Sequence, residues 1–405
     1  MYRLTRSFLL VCLAAPGGPA PASAQTPVED PAARAAIRLG PLGLTPTFNL
    51  ANVGIDDNVL LEETTPMRDF TFTATPGAKT WLRVGDGLLA AHTTAEWVYF
   101  ATLVSQRSFN LGQTVRFDLP LASITPRVSG EYLNTRQRPN SELDAYVRRH
   151  STGLAGGARL RLGPLASLDF EAGETRWEHA KAIVDGVELS DALDRTTARW
   201  SVAFRQELTP LTTFAVKVDR DRTEFRAAVE RDGAAWSISP GVEFQPLSLL
   251  TGSAFVGYQR FTPREATVPS FSGLIARVDL RYLMRDTTSA GVTVDRHVEF
   301  SYSPAEPYYV STNLGIVIRQ AVAADWDVVG RWGRERLTYA RFEDLVPDAH
   351  PVRRDHRRHY SIGAGYWLSF NGRVGVDVSF AARESDVPGR SYRGFKVGGS
   401  FGYGF

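Results

Sequence analysis

Segments of about a dozen residues, with apolar side chains at one parity and polar or charged ones at the other, recur along this 405-residue chain almost to its last residue. In Thr213 to Asp219, Phe214, Val216 and Val218 share one face while Lys217 and Asp219 share the other, because side chains of a strand alternate across its sheet. Val278, Leu280 and Tyr282 oppose Arg277, Asp279 and Arg281 in the same way, and Val374, Val376, Val378 and Phe380 oppose Arg373, Asp377 and Ser379. This period calls for strands, each with one apolar face to cover. A soluble β-sandwich alternates too, so the connections have to separate the two.

Short turns fall at Gly85-Asp86-Gly87, Leu119-Pro120-Leu121, Gly163-Pro164-Leu165, Thr209-Pro210-Leu211, Gln245-Pro246-Leu247, Arg285-Asp286-Thr287, Ala323-Ala324-Asp325 and Asn371-Gly372. Longer, charged connections lie between them: Asp56 to Arg68, Arg136 to Arg149, Ala180 to Asp194, Asp221 to Gly233, Thr262 to Ser270, Ser303 to Pro307, Arg341 to Arg358 and Ala382 to Arg390, with a tight one near Gln106. Short turns at one end and long loops at the other are the plan of a transmembrane antiparallel up-and-down β-barrel. Nine external connections, eight long and one tight, give nine hairpins, hence about 18 strands; 16 would do if the first hairpin is irregular.

The ends of the chain and its composition agree with that all-β reading. Arg3 and Arg6 precede the apolar run Ser7 to Ala15, and Ala22-Ser23-Ala24 offers a cleavage site, so residues 1–24 read as a signal peptide. Residues 25–43 then form a short periplasmic segment and 44–405 the barrel. No stretch after Gln25 has the roughly 20 apolar residues of a membrane helix. The sole cysteine, Cys12, lies in the leader, so neither disulfides nor a thiolate metal site hold the mature chain. Against 46 basic residues stand 44 acidic ones, and Arg3 and Arg6 leave with the leader. That balance disfavours a nucleic-acid partner.

Lys396-Val397-Gly398-Gly399-Ser400-Phe401-Gly402-Tyr403-Gly404-Phe405 sets Val397, Phe401, Tyr403 and Phe405 on one parity. The segment resembles the assembly signal that closes outer-membrane barrels: Lys396, Gly398, the aromatics Phe401 and Tyr403, and terminal Phe405. That resemblance implies recognition by the barrel assembly machinery of a Gram-negative outer membrane. Gly54-Ile55-Asp56-Asp57-Asn58-Val59-Leu60, followed by Asp69-Phe70 and Thr75-Pro76-Gly77, resembles the opening of the putative beta-barrel porin 2 family, with Ile55 where that family usually has Tyr. Porin activity, associated in some members with exopolysaccharide production, is what this second resemblance implies.

If the apolar parity meets lipid, the polar parity faces the lumen and sets permeation. Its cations include Arg116, Arg127, Arg159, Arg161, Arg199, Arg205, Lys217, Arg277, Arg281, Arg331 and Arg373. Its anions include Asp118, Asp169, Glu171, Asp219, Asp221, Glu243, Asp279, Asp295, Glu299, Asp327 and Asp377. So mixed a wall fits passive diffusion of small hydrophilic solutes with weak ion selectivity, or equally a brace of neutralised pairs. Export of polysaccharide and a closed structural or binding barrel are the alternative functions. Trp97, Tyr99, Trp177, Trp200, Trp326, Trp332, Tyr366 and Tyr403 are candidates for the aromatic girdles at the two membrane surfaces. Arg296, between Val294 and Val298, breaks the alternation, so it must lie beyond the hydrocarbon, pair across strands or mark a bulge.

The cluster His350 to His359, placed in an external loop, suits contact with lipopolysaccharide phosphates or an acidic polysaccharide, or simply a solvated loop, better than a metal site, since its arginines oppose a cation. No Ser, His and acid motif of a hydrolase is present, and Glu299 beside His297 is the one pair worth checking for catalysis. The expected partners are therefore outer-membrane lipid and lipopolysaccharide, the assembly machinery, and small solutes or a polysaccharide. No cofactor is expected.

Overall fold

The computed structural model describes residues 35–246, 248–285, 287–341 and 352–404. The expected leader, the first part of the 25–43 segment, His350 and Phe405 lie outside the described residues. Eighteen long strands form the wall: β1 (Leu42–Asp56), β2 (Asp69–Val84), β3 (Gly87–Phe100), β4 (Ser108–Asp118), β5 (Ile124–Gln137), β6 (Val147–Arg161), β7 (Ala166–His179), β8 (Arg195–Thr209) and β9 (Thr212–Phe225), followed by β10 (Gly233–Phe244), β11 (Leu250–Pro263), β12 (Phe271–Met284), β13 (Thr288–Phe300), β14 (Tyr308–Ala321), β15 (Trp326–Tyr339), β16 (Arg354–Leu368), β17 (Gly372–Ser385) and β18 (Tyr392–Tyr403). Each pairs antiparallel with its neighbours in sequence, and β1 pairs with β18, so the sheet closes on itself and no edge is left. All eight expected short turns fall between strands at one end.

Register shows why these sequences form a wall. Val202, Val218, Ile238, Tyr258 and Leu274 are successive cross-strand partners on β8 to β12, and each is between 38% and 63% exposed. One residue along the same strands runs the row Ser201, Asp219, Ser237, Gln259 and Gly273. The apolar parity therefore forms a continuous outward belt, which only lipid can cover at low cost, while every backbone group in the ladder is paired within the wall.

Closure rests on the family-like opening motif. The β1 register slips between Leu50 and Val53 against β18, and Asn52 there has φ 59°, a bulge at the seam. Beyond it Asn58, 1% exposed, donates from Nδ2 to the Glu62 and Arg393 carbonyls at 2.8 Å each and accepts from Glu62 N–H at 2.9 Å. Asp57 accepts from Phe395 N–H at 2.6 Å, and Lys396 lies 3.8 Å from Asp56. The opening motif thus ties the first strand to the expected assembly segment.

Several expected loops are shorter than the sequence implied. β5 and β6 reach Gln137 and Val147, β9 runs to Phe225, β17 to Ser385, and β16 starts at Arg354, inside the connection expected over Arg341 to Arg358. These strand ends continue past the apolar belt, where both faces can be polar, so the ladder persists after the alternation has stopped. At the other boundary Ile37–Leu39 folds back on Leu42–Leu44, so the wall begins two residues before position 44. Arg296 pairs across strands, as one of its options required: the β12–β13 ladder ends at Ala276 opposite Arg296, whose guanidinium donates to the Leu274 carbonyl at 3.0 Å and to Thr312 Oγ1 at 2.6 Å.

Candidate functional site

Two features stand on the polar side of the wall: paired charges along the strands and a packed cap at the long-loop end. In the first, Asp169 of β7, its side chain 5% exposed, accepts from Arg127 and Arg159 at 3.0 Å each and from Arg205. Arg127 reaches Glu171 at 3.0 Å and Arg205 reaches Glu243 at 3.1 Å, with Lys217 3.5 Å from Glu243. Arg127 and Asp169 lie two strands apart and meet over β6, as the concave face of a curved sheet permits. Nearby, Arg116 grips Asp118 at 2.7 Å and Arg199 grips Asp221 at 2.6 Å.

A second cluster gathers on β14 to β17. Asp327, 2% exposed, accepts from Trp367 Nε1 at 2.7 Å and from Arg373 Nε at 3.1 Å, and Arg331 meets Asp377 at 3.1 Å. Arg277 is bound more loosely, 3.5 Å from Asp295, with its side chain 53% exposed. Among the described residues Arg161, Asp219 and Asp279 join no ion pair. Asp169 and Asp327, the hubs of the two clusters, stand out in the sequence by charge alone; nothing there marks them as shared between cations from several strands.

The cap is built from the segment joining β5 to β6. Asn140 Oδ1 accepts from the N–H groups of Glu142 and Leu143 at 3.0 Å each, which folds the segment into a tight turn. Glu142, fully buried, then accepts from Ser301 Oγ at 2.8 Å, Tyr302 N–H at 3.1 Å and Arg353 at 3.4 Å. Asp144 takes Arg383 of β17 at 2.7 Å, and the Glu142 carbonyl accepts from Arg383 at 3.0 Å and Arg390 at 3.3 Å. Because β17 lies seven places round the ring from β6, counted through the closure, these contacts carry the segment across the mouth.

Apolar packing secures the cap. Leu143, Val147, Leu189, Ala192, Leu193 and Tyr302 form one buried cluster, drawing on three connections of the long-loop end. Leu189 and Leu193 sit on a one-turn helix, Leu189–Leu193. Arg231, 3% exposed, donates to the carbonyls of Ala192 at 3.2 Å, Ser303 at 2.7 Å and Ser301. Burial pushes the Glu142 carboxyl up to about 7 against the pull of Arg353 and the Ser301 hydroxyl, and it pushes Asp144 upward against Arg383.

Other expectations land differently. Trp177 is not part of a girdle: it shares parity with Asp169 and Glu171, and the Arg195 guanidinium lies over its ring at 4.7 Å. Trp97, Trp200, Trp326 and Tyr366 are on the belt, each at least 38% exposed. Within the described residues, 352–359, the histidine-rich cluster is largely strand, not loop; Arg354, His356 and Arg358 share one face of β16, and Asp355, Arg357 and His359 share the other, so His356 and His359 point apart. His297 sits between Asp295 and Glu299, 3.6 Å from the latter, and opposite Ser311, whose hydroxyl donates to Glu335 at 3.0 Å rather than to the imidazole.

Among solved structures, the chain is similar to the outer-membrane protein opdK from Pseudomonas aeruginosa at 8% identity and a TM-score of 0.48, over 89% of this chain and 98% of that one. The siderophore receptor PirA from the same organism matches at 8% identity and 0.42, over 89% and 80%. The FrpB iron transporter from Neisseria meningitidis matches at 11% and 0.46, over 86% of this chain but only 64% of that one. No curated protein matches the sequence. A family model, in contrast, matches residues 30–400, nearly the whole wall and the opening motif with it: the chain belongs to the putative beta-barrel porin 2 family.

Proposed function

We propose that the chain forms a channel in a Gram-negative outer membrane, after removal of residues 1–24, and that small hydrophilic solutes pass through it down their gradients. The polar parity lines the path, the short turns face the periplasm and the cap faces outward. The observation that carries this reading is the wall itself. Its polar face holds Arg277 with half of its side chain open to water, while the opposite face carries the exposed apolar belt. Paired charges of both signs along such a path order water and sort ions weakly.

Single-channel conductance of the refolded mature protein in symmetric salt tests this. Steady current steps are expected, with a reversal potential near zero under a salt gradient. A folded barrel that carries no current refutes open diffusion. The buried cap favours one refinement, a channel narrowed at its outer mouth by the segment Arg138 to Tyr146, in which case current should increase when that segment is released.

A further inference from the structure

On one side of the ring the outward face turns cationic just beyond the belt. β15 and β16 set Trp332 opposite Tyr360, then Arg334 opposite Arg358, then Arg336 opposite His356. These side chains have the parity of exposed Trp326, Ile362 and Tyr366, so they point away from the polar wall. Below them Ile316, Trp332, Tyr360 and Phe380 make an apolar row across four strands. At the level of the two opposed arginines the flanking partners are Leu314 and Ala382, which offer no charge.

Like charges directly opposite on a sheet face destabilise the pair. Elsewhere in the long-loop half Arg176 and Arg222 are answered within their own strand, by Glu178 at 2.8 Å and Glu224 at 2.7 Å, while Arg220 and Arg260 each lie opposite Trp236 rather than another cation. Here Glu384 alone answers, meeting Arg358 at 2.9 Å in a pair that is 45% and 61% exposed and therefore weak. Arg334 and Arg336 are exposed and join no ion pair among the described residues, and His356 Nδ1 is buried with no hydrogen-bond partner. A cation cluster with a single, exposed counter-charge at the edge of an apolar belt calls for an anion that carries its own apolar tail.

We infer that Arg334, Arg336 and Arg358 bind the phosphate of a phosphorylated lipid in the surrounding leaflet, with its acyl chains lying along Trp332, Tyr360 and Phe380. Guanidinium forks match phosphate oxygens bidentately, and the indole and phenol rings suit the level where headgroup meets hydrocarbon. The site is formed by the wall's outer surface, so it neither needs nor blocks passage through the lumen.

The test uses the refolded mature protein in neutral detergent micelles with bisphosphorylated lipid A as the probe, read by native mass spectrometry and by the melting temperature of the barrel. The wild type should retain lipid A and melt higher with it. Arg334→Gln with Arg358→Gln should bind about tenfold more weakly, as the loss of two charge-assisted contacts implies, yet melt no lower than wild type in lipid-free micelles, since a repulsion has been removed. Arg176→Gln should bind normally. If the double variant does not fold, Arg336→Gln gives the same comparison. Unchanged binding by a folded variant overturns the site. Equal wild-type binding of phosphate-free lipid A overturns the phosphate, and a full melting shift from inorganic phosphate alone overturns the lipid.

Discussion

Arg383 Nη1 lies 3.0 Å from the Glu142 main-chain oxygen and 2.7 Å from Asp144, although the two partners are 241 and 239 residues away in sequence and on a distant part of the ring. Arg383 also bonds Asp355, so one buried guanidinium joins the inward segment to the wall. Replacing it leaves Asp355, buried, and Asp144, partly buried, with one cation fewer. Removing one partner of a buried pair costs about 3–5 kcal/mol. Because Asp355 keeps Arg353 at 3.0 Å and the backbone ladder between β16 and β17 is untouched, Arg383→Gln should still fold into a heat-resistant barrel and should show larger or more frequent conductance steps than wild type. Unaltered current would mean that the segment does not restrict the path.

The cap should also respond to pH through Glu142. Its carboxyl rises from an ordinary value of 4.5 to about 7 on burial, so the folded cap holds its proton more tightly than a released segment would. Cap stability is therefore fully present below about 4.5, declines as pH rises toward 7 and is constant above that. The span corresponds to roughly 3 kcal/mol at most. Arg353 and Arg390 pull against the shift while Glu306 adds to it, and Asp144, raised by burial against Arg383, acts in the same direction. Hydrogen-exchange protection of residues 139–147, taken against the intrinsic amide rate at each pH, should be lower at pH 8 than at pH 5. Glu142→Gln should flatten that difference; if it persists in the variant, another group is responsible.

On the wall, Asp169→Asn should leave Arg127, Arg159 and Arg205 with Glu171 and Glu243 as their remaining anions. Asp169 is nearly inaccessible, so the substitution should destabilise the barrel by about 3–5 kcal/mol and lower its melting temperature. If ions flow past this cluster, the freed positive charge should move the reversal potential toward anion preference. A destabilised variant with an unmoved reversal potential would show that the cluster braces the wall out of the ions' path.

What the residues disclosed follows the range of the forces involved. Alternation and turn chemistry are local, so Phe214, Val216 and Val218, and the eight short turns, announce strands and their connections. The strand ends at Arg354 to Arg358 escaped notice because beyond the belt water accepts polar side chains on both faces. The cap escaped too: Asn140, Glu142 and Asp144 read as an ordinary polar loop, and what buries them comes from Ser301, Arg353 and Arg383, brought near only by closure of the ring. Trp177 misled because a tryptophan next to a polar row can serve a cation as readily as a membrane surface; Arg195 decides which.

Closure itself yields the sharpest prediction. Gly54 lies in β1 opposite Gly398 of β18, and a Cβ built on it would run into the carbonyl of Val397, which belongs to the ladder and cannot move without breaking it. Gly130 of β5, by contrast, has room for a methyl group, its nearest neighbour being the Gly153 carbonyl at 3.8 Å. Gly54→Ala should therefore block pairing of the first and last strands and leave two open edges, whose unpaired backbone groups each cost several kcal/mol in lipid. Its effect should be loss of the fast-migrating, heat-sensitive band that folded barrels show on unheated gels, while Gly130→Ala keeps it. A Gly54→Ala protein that refolds as completely as wild type would mean that the seam can slip, most readily at the neighbouring bulge around Asn52, and that the register of β1 against β18 is not fixed by this contact.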